Sequence, residues 1–317
     1  MSDKSAISWT DVTWNPLLGC SRVSAGCGRC YAINHVHRMA GNPNPKVRSA
    51  NEGLTTRHRN GQLDWTGAVR TLPSRLEQPL HWRAPRRVFV NSLSDLFHPE
   101  VPFTFVAAMF GVMAACPRHT FQVLTKRPER MRALFAWLEE RAEQAREVFP
   151  HESPAWRRAH CLRSAALNNG ADLGTTAAWL ASEGWPLPNV WLGTSVEHQA
   201  AADERIPQLL ATPAAVRFLS AEPLLGPVDL GRYMVRCPSC GATHLGPCDV
   251  PRPWPLHWVI TGGESGPGYR PADPAWFGSV RDQCVAAGVP FFFKQGAGAR
   301  PGMHRELDGR IWEEYPA

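Results

Sequence analysis

The feature that most restricts what this chain can fold into is one kind of segment, repeated. A short β-branched or aromatic run ends in a polar cluster, and the next stretch often has helical spacing. RVFVNSLSDLF (87–97) is the first, followed by the helical PFTFVAAMFGVMAAC (102–116). TFQVLTKR (120–127) comes next, then the long amphipathic PERMRALFAWLEERAEQAREVF, opened by Pro128. NVWLGTSVE, VRFLSAEPLL and HWVITGGES repeat the strand form, and DPAWFGSVRDQCVAAG is a further helix before VPFFFKQ. Alternation of this kind predicts parallel β/α units. With six or seven such strands, the expected fold is α/β: a partial or full (β/α) barrel, taken as one domain over residues 1–317. Residues 41–85, rich in Pro, Gly, Asn and Arg, are expected to be mostly irregular.

Every run turns polar at the same end. The clusters are Asn91–Ser92–Ser94–Asp95, Thr125–Lys126–Arg127, Thr194–Ser195–Glu197, Ser220–Glu222, Gly262–Gly263–Glu264–Ser265 and Lys294–Gln295. In β/α barrels and open α/β sheets the site is built from the loops at the carboxyl ends of the strands. One cluster alone would be an ordinary turn or helix cap. Six together predict a shared active-site rim.

Two segments break the rhythm. Residues 150–188, with Trp156, Arg157 and Arg158, are expected to hold a helix or two. Residues 231–255 contain CPSCGATHLGPC, in which Cys237, Cys240, His244 and Cys248 form a donor set suited to tetrahedral zinc. An auxiliary iron–sulfur cluster, or free thiols in a Pro-rich loop, are the other readings. Cys116, Cys161 and Cys284 are expected to be small buried residues.

Near the front lies a different cysteine group, in WTDVTWNPLLGCSRVSAGCGRCY (9–31). Cys20, Cys27 and Cys30 fall within eleven residues. Three is an odd count: a disulfide framework needs pairs and a structural zinc site four ligands. The run after Cys30 has helical character, which sets the positive end of a helix dipole beside the thiols. A zinc reading would recruit His35 or His37 as the fourth ligand. The chain shows no apolar leader and no run long enough for a membrane helix, so a soluble, cytoplasmic protein without a membrane partner is expected. Clustered cysteines there are metal ligands or redox groups sooner than disulfides. No GxSxG, P-loop or HExxH motif is present.

Charge is unevenly spread. Residues 1–90 hold thirteen Lys or Arg against five Asp or Glu, a net +8, and the remainder carries −2. The cations after the cysteine loop, among them Arg57 and Arg59, are mixed with Trp65, His81 and Trp82. A basic surface with flat rings suits nucleic acid, although a solvated arginine-rich face has the same composition.

Three thiolates can hold a cubane of four irons and leave one iron open to an amine and a carboxylate. Gly262 and Gly263 would then admit a cofactor closely, Asp95, Glu197 or Glu222 would meet an ammonium or ribose hydroxyls, and Lys126 or Arg127 a carboxylate. At this point the residues reach a resemblance. C-x6-C-x2-C followed by Tyr31, at the front of a β/α barrel, resembles the radical S-adenosylmethionine (radical SAM) superfamily, whose common signature is C-x3-C-x2-C. That family's GGE motif follows the second strand. The corresponding strand end here reads NSLSDLF and GGES comes only near 262, so the amino-group role is assigned to Ser92, Ser94 and Asp95, not to Glu264. Thr125 and Ser195 complete the expected cofactor-binding rim. The resemblance implies a [4Fe-4S] cluster on Cys20, Cys27 and Cys30, S-adenosylmethionine as co-substrate, and an electron donor such as flavodoxin or ferredoxin. TDVTWNPLLGC, CGRCYA, VFVNSLSDLFH, FQVLTKRP, WLGTSVE, FLSAEPLLG, VITGGESGPGYRP and FFFKQ also resemble the phage Gp37/Gp68 family. The expected substrate is a nucleic-acid base, in modification or repair, with a peptide or small metabolite as the other readings. The rival expectation is a zinc-stabilised nucleic-acid-binding protein without catalysis.

Overall fold

The computed structural model describes residues 5–174, 185–234 and 256–316. Cys237, Cys240, His244 and Cys248 therefore lie outside the described residues, as does part of each interrupting segment. Seven apolar runs become strands of one parallel sheet: β1 (Val12–Trp14), β2 (Arg87–Val90), β3 (Thr120–Thr125), β4 (Val190–Ser195), β5 (Val216–Ala221), β6 (Trp258–Gly262) and β7 (Phe291–Gln295). Their order in the sheet is their order in the chain. A doubly wound sheet reverses its order at a switch point, whereas a barrel keeps adding strands on one side. This sheet adds on one side throughout and ends at β1 and β7, a partial barrel. β6 is buried along its whole length, as parallel strands covered on both faces are.

Six of the seven strands coincide with the expected runs. β1 has only three residues, too few for a periodic signal. Residues 41–85 are mostly irregular, as expected, but not wholly so. This stretch holds helix α2 (Pro45–Asn51), after α1 (Tyr31–Ala40), and an antiparallel pair of Thr55–Arg57 with Leu63–Trp65. Arg70–Thr71 also pairs antiparallel with Leu17–Leu18. Single turns and two- or three-residue strands leave no periodicity for sequence reasoning to find.

By its contacts the chain divides into two units. The first comprises Met1–Arg22, Cys30–Thr125 and Arg130–Trp191. Its helix α3 (Phe103–Ala114) is buried from Phe105 onward, because α5 (Pro154–Asn168), the helix after α4 (Pro128–Gln144), packs on it. A Cβ on Gly111 would lie 2.5 Å from the Leu162 carbonyl oxygen, so only glycine permits that approach. α5 begins at Pro154, with Ser153 as its cap accepting from the Trp156 N–H. A smaller core gathers Leu18, Ala32, Ile33, Val36, Ala50, Leu54 and Trp65, with Cys20 and Cys30 packed against it.

The second unit comprises Val23–Arg29, Lys126–Glu129 and Leu192–Ala317. Its core joins Phe218, Trp258 and Phe292, with Tyr315 against the last two. Arg217 is fully buried there, donating to the carbonyls of Leu209, Thr212 and Ala214. These carbonyls lie at the end of α6 (Gln199–Leu210) and just beyond it. Burial pulls the Arg217 guanidinium down to about 10. After the single turn of α7 (Gly231–Met234), helix α8 (Pro274–Ala287) opens with Asp273 capping the Ala275 N–H and closes on Gly288 at φ +67. Among the described residues no helix is long and apolar enough to cross a membrane.

Candidate functional site

The cysteine loop is stitched at its start to the end of β2. Gly19 has φ +90 and pairs with Ser94 in an isolated parallel bridge. A Cβ there would also strike the Ala68 carbonyl oxygen at 2.2 Å. Ser94 Oγ donates to the Leu17 carbonyl (2.9 Å), and the Asn15 Oδ1 accepts from Ser92 Oγ (3.2 Å) and Leu93 N (3.1 Å). Tyr31 Oη donates to the Ser92 carbonyl at 2.8 Å, and Ser21 Oγ meets His98 Nε2 at 2.9 Å. Asp95 is buried, and its Oδ1 accepts from Thr125 Oγ1 (2.7 Å) and Phe97 N (3.0 Å). Four expected cofactor-binding residues, Ser92, Ser94, Asp95 and Thr125, thus make hydrogen bonds that shape the β2 end.

At the other side of the loop, Cys30 is the N-cap of α1, with no acidic residue in the first turn and His37 and Arg38 in the last. The unpaired N–H groups of a helix start suit an anionic ligand. His37 Nδ1 meets Thr55 Oγ1 at 3.1 Å. Burial, with Arg38 nearby, holds His35 below the usual imidazole value.

The middle of the loop belongs to the second unit. Ala25–Cys27 form one 3-10 turn, beside which lie two buried carboxylates of that unit, one of them holding the turn through its arginine. Glu197, past the end of β4, is fully buried and accepts from Arg205 Nη1 at 3.0 Å, while the same nitrogen donates to the Ser195 carbonyl at 2.8 Å. A Cβ on Gly26 would come within 3.2 Å of the Glu197 carboxyl and 3.4 Å of Lys126 Cε, so the loop crosses there without a side chain. Burial alone would raise the Glu197 carboxyl, but the Ser24 hydroxyl, Lys126 and Arg205 outweigh it and hold it below the usual range. Glu264, past β6, accepts from the Arg270 backbone N–H (2.8 Å) and Nε (3.0 Å). Arg270 Nη1 in turn donates to the Ala25 carbonyl at 3.0 Å, and Arg29 Nε lies 3.7 Å from Glu264. Against its burial, Arg270 and Arg29 hold the Glu264 carboxyl down as well.

The remaining expected residues sit at neighbouring strand ends of this unit. Glu222 pairs with Lys294 at 3.0 Å and accepts from Ser220 Oγ at 3.3 Å. Gly262 leaves room for the Glu222 carboxyl, which a Cβ would meet at 2.8 Å, and Gly263 for the Ala297 backbone at 2.2 Å. The close approach that the two glycines permit in this structure is therefore by the protein itself. Arg270, Arg29 and Arg205 were not singled out from sequence, and Tyr31 only as the aromatic residue after Cys30. Arg270 could have been noticed as the arginine ending GPGYR, but nothing local tells which carbonyl it reaches.

The donor set between Cys20 and Cys30 is three thiols with no carboxylate among them, the ligand chemistry of iron–sulfur clusters. Among the described residues, no three His, Cys, Asp or Glu side chains are gathered around one ion's position.

No curated protein and no solved structure matches this chain. The family model described as "Protein of unknown function (DUF5131)" matches residues 4–316, nearly the whole length, and the chain belongs to that family.

Proposed function

We propose that this protein is a radical S-adenosylmethionine enzyme whose iron–sulfur cluster is held by Cys20, Cys27 and Cys30. The observation that carries this reading is the three-thiol loop itself, carboxylate-free, capping α1 and anchored at the carboxyl ends of a partial β/α barrel. The cluster would supply an electron for reductive cleavage of S-adenosylmethionine bound at its fourth iron. The chain's own residues have three tasks. The stitches from Ser94, Ser21 and Tyr31 orient the two ends of the loop. The Glu264–Arg270 pair holds its middle. The rim residues Lys126 and Glu222 would provide charge, and Ser195 a hydroxyl, for the amino-acid and ribose parts of the co-substrate, with Glu197 held beneath them by Arg205. A small electron-transfer protein of the flavodoxin or ferredoxin kind would be the reductant.

Anaerobic reconstitution with iron and sulfide tests this. The expected outcome is a visible charge-transfer spectrum that Cys20→Ala, Cys27→Ala or Cys30→Ala each abolishes, with 5′-deoxyadenosine released from S-adenosylmethionine under reduction. A chain that takes up no cluster, or that keeps it after all three substitutions, sinks the reading.

A further inference from the structure

Four of the thirteen cations of the first ninety residues, Lys46, Arg48, Arg57 and Arg59, lie on two elements that the proposed cofactor chemistry leaves unused. Thr55–Arg57 and Leu63–Trp65 pair with each other and form a separate two-stranded sheet. The turn that joins them is ordered: His58 N donates to the Gln62 carbonyl at 2.9 Å, Gln62 N to Asn60 Oδ1 at 3.0 Å, and Gly61 takes φ +82. Arg57, His58 and Arg59 at this tip are exposed. Arg57 Nη1 donates to the Gly61 carbonyl at 2.8 Å, which fixes the direction of its guanidinium. At the root, Trp65 is buried in the small core that Cys20 and Cys30 also touch. Ala50 of α2 enters that core too, and α2 carries Lys46 and Arg48, both exposed.

Between Arg38 and Arg70 six cations face two acids, Glu52 and Asp64. Asp64 is already matched by Arg22 at 2.7 Å, with His58 at 3.6 Å. The element thus has a basic tip whose nearest carboxylate is neutralised. A solvated basic face would need no such rigid support. A two-stranded ribbon fits the major groove of B-form DNA, about 12 Å wide, whereas the major groove of an RNA helix is too narrow to admit protein.

We propose that the 55–65 ribbon docks in the major groove of duplex DNA, with Arg57, Arg59, Lys46 and Arg48 on its phosphates. That this DNA is the substrate rests on the enzyme reading above; the docking does not. Anisotropy of a short labelled duplex DNA, titrated with the full chain between roughly 50 and 200 mM salt, tests it. Affinity is expected to fall steeply with salt. The double variant Arg57→Gln/Arg59→Gln should lower the log–log slope by about two and weaken binding by roughly tenfold or more at low salt. Lys46→Gln/Arg48→Gln should act in the same direction. Both pairs are exposed, so the urea midpoint should stay at the wild-type value, which separates lost docking from lost fold. Binding that ignores salt, that is unchanged in both variants, or that is equal for duplex DNA, single strands and duplex RNA would overturn the proposal. Loss of DNA binding with cluster uptake intact, or the converse, shows which of the two readings has failed.

Discussion

At the scale of single residues, charge pairs decide how the cysteine loop is held. Glu197 and Glu264 are both buried and both kept ionised by arginine. Their folded values lie below the ordinary 4.5, so they stabilise the fold above that value and lose the contribution as pH falls through the lowered one. Removing a charged hydrogen-bond partner costs about 1.5–3 kcal/mol, which raises local opening about tenfold or more. Arg270→Gln should therefore speed reaction of Cys27 with dipyridyl disulfide by about that factor, with Cys20 unchanged. Arg270→Lys should recover part of the protection. In the wild-type protein the same exposure of Cys27 should appear on acidification below pH 4.5 and not above it. Peptide mapping of the labelled cysteines reads both effects, and equal rates in Arg270→Gln would remove Arg270 from this role.

Among elements, the contact between α3 and α5 depends on one missing side chain. Phe103–Ala114 is apolar all round, so nothing in its own pattern says which face meets a neighbour. Gly111 settles it, since the Leu162 carbonyl occupies the place of its Cβ. Gly111→Val forces the helices apart against a packed core, and the expected loss is about 1–3 kcal/mol in urea unfolding. A variant as stable as wild type would mean that α5 shifts freely on α3. The helix ends behave more locally. Pro154 after Ser153, and Pro274 after Asp273 with Gly288 at the far end, follow cap rules that need no tertiary partner.

For the whole molecule, a parallel sheet that does not close must protect its edges. β1 does so by being three residues long. β7, with Phe291, Phe292 and Phe293, has no such brevity. Its outer edge is covered by the final segment: Phe293 N donates to the Trp312 carbonyl at 2.9 Å and Glu314 N to the Phe291 carbonyl at 3.1 Å. Tyr315 lies against Phe292 and Trp258. Removing the residues after Arg310 should uncover a flat aromatic edge, which then pairs between molecules. Size-exclusion chromatography should show larger species or precipitation; a truncated chain that elutes like the intact one would refute this.

The sequence by itself determined the β/α alternation, six of the seven strands, the polar carboxyl ends and the loop with three thiols. Each of these rests on composition or on a period that neighbours in the chain impose. Pro128, Pro154 and Pro274 mark helix starts for the same reason, as the fixed φ of proline acts without tertiary help. The tertiary structure alone decided the rest. β1 and the basic ribbon are too short to show a period. The partners of Arg270, Gly26 and Gly111 at Ala25, Glu197 and Leu162 lie far away in sequence, and Arg217 is buried because the end of α6 supplies carbonyls to it. Contacts across such distances depend on where strands lead the chain, which no local window records. The three-cysteine loop belongs to both accounts: its spacing is written in the chain, and the Glu264–Arg270 pair that holds its middle comes from the fold.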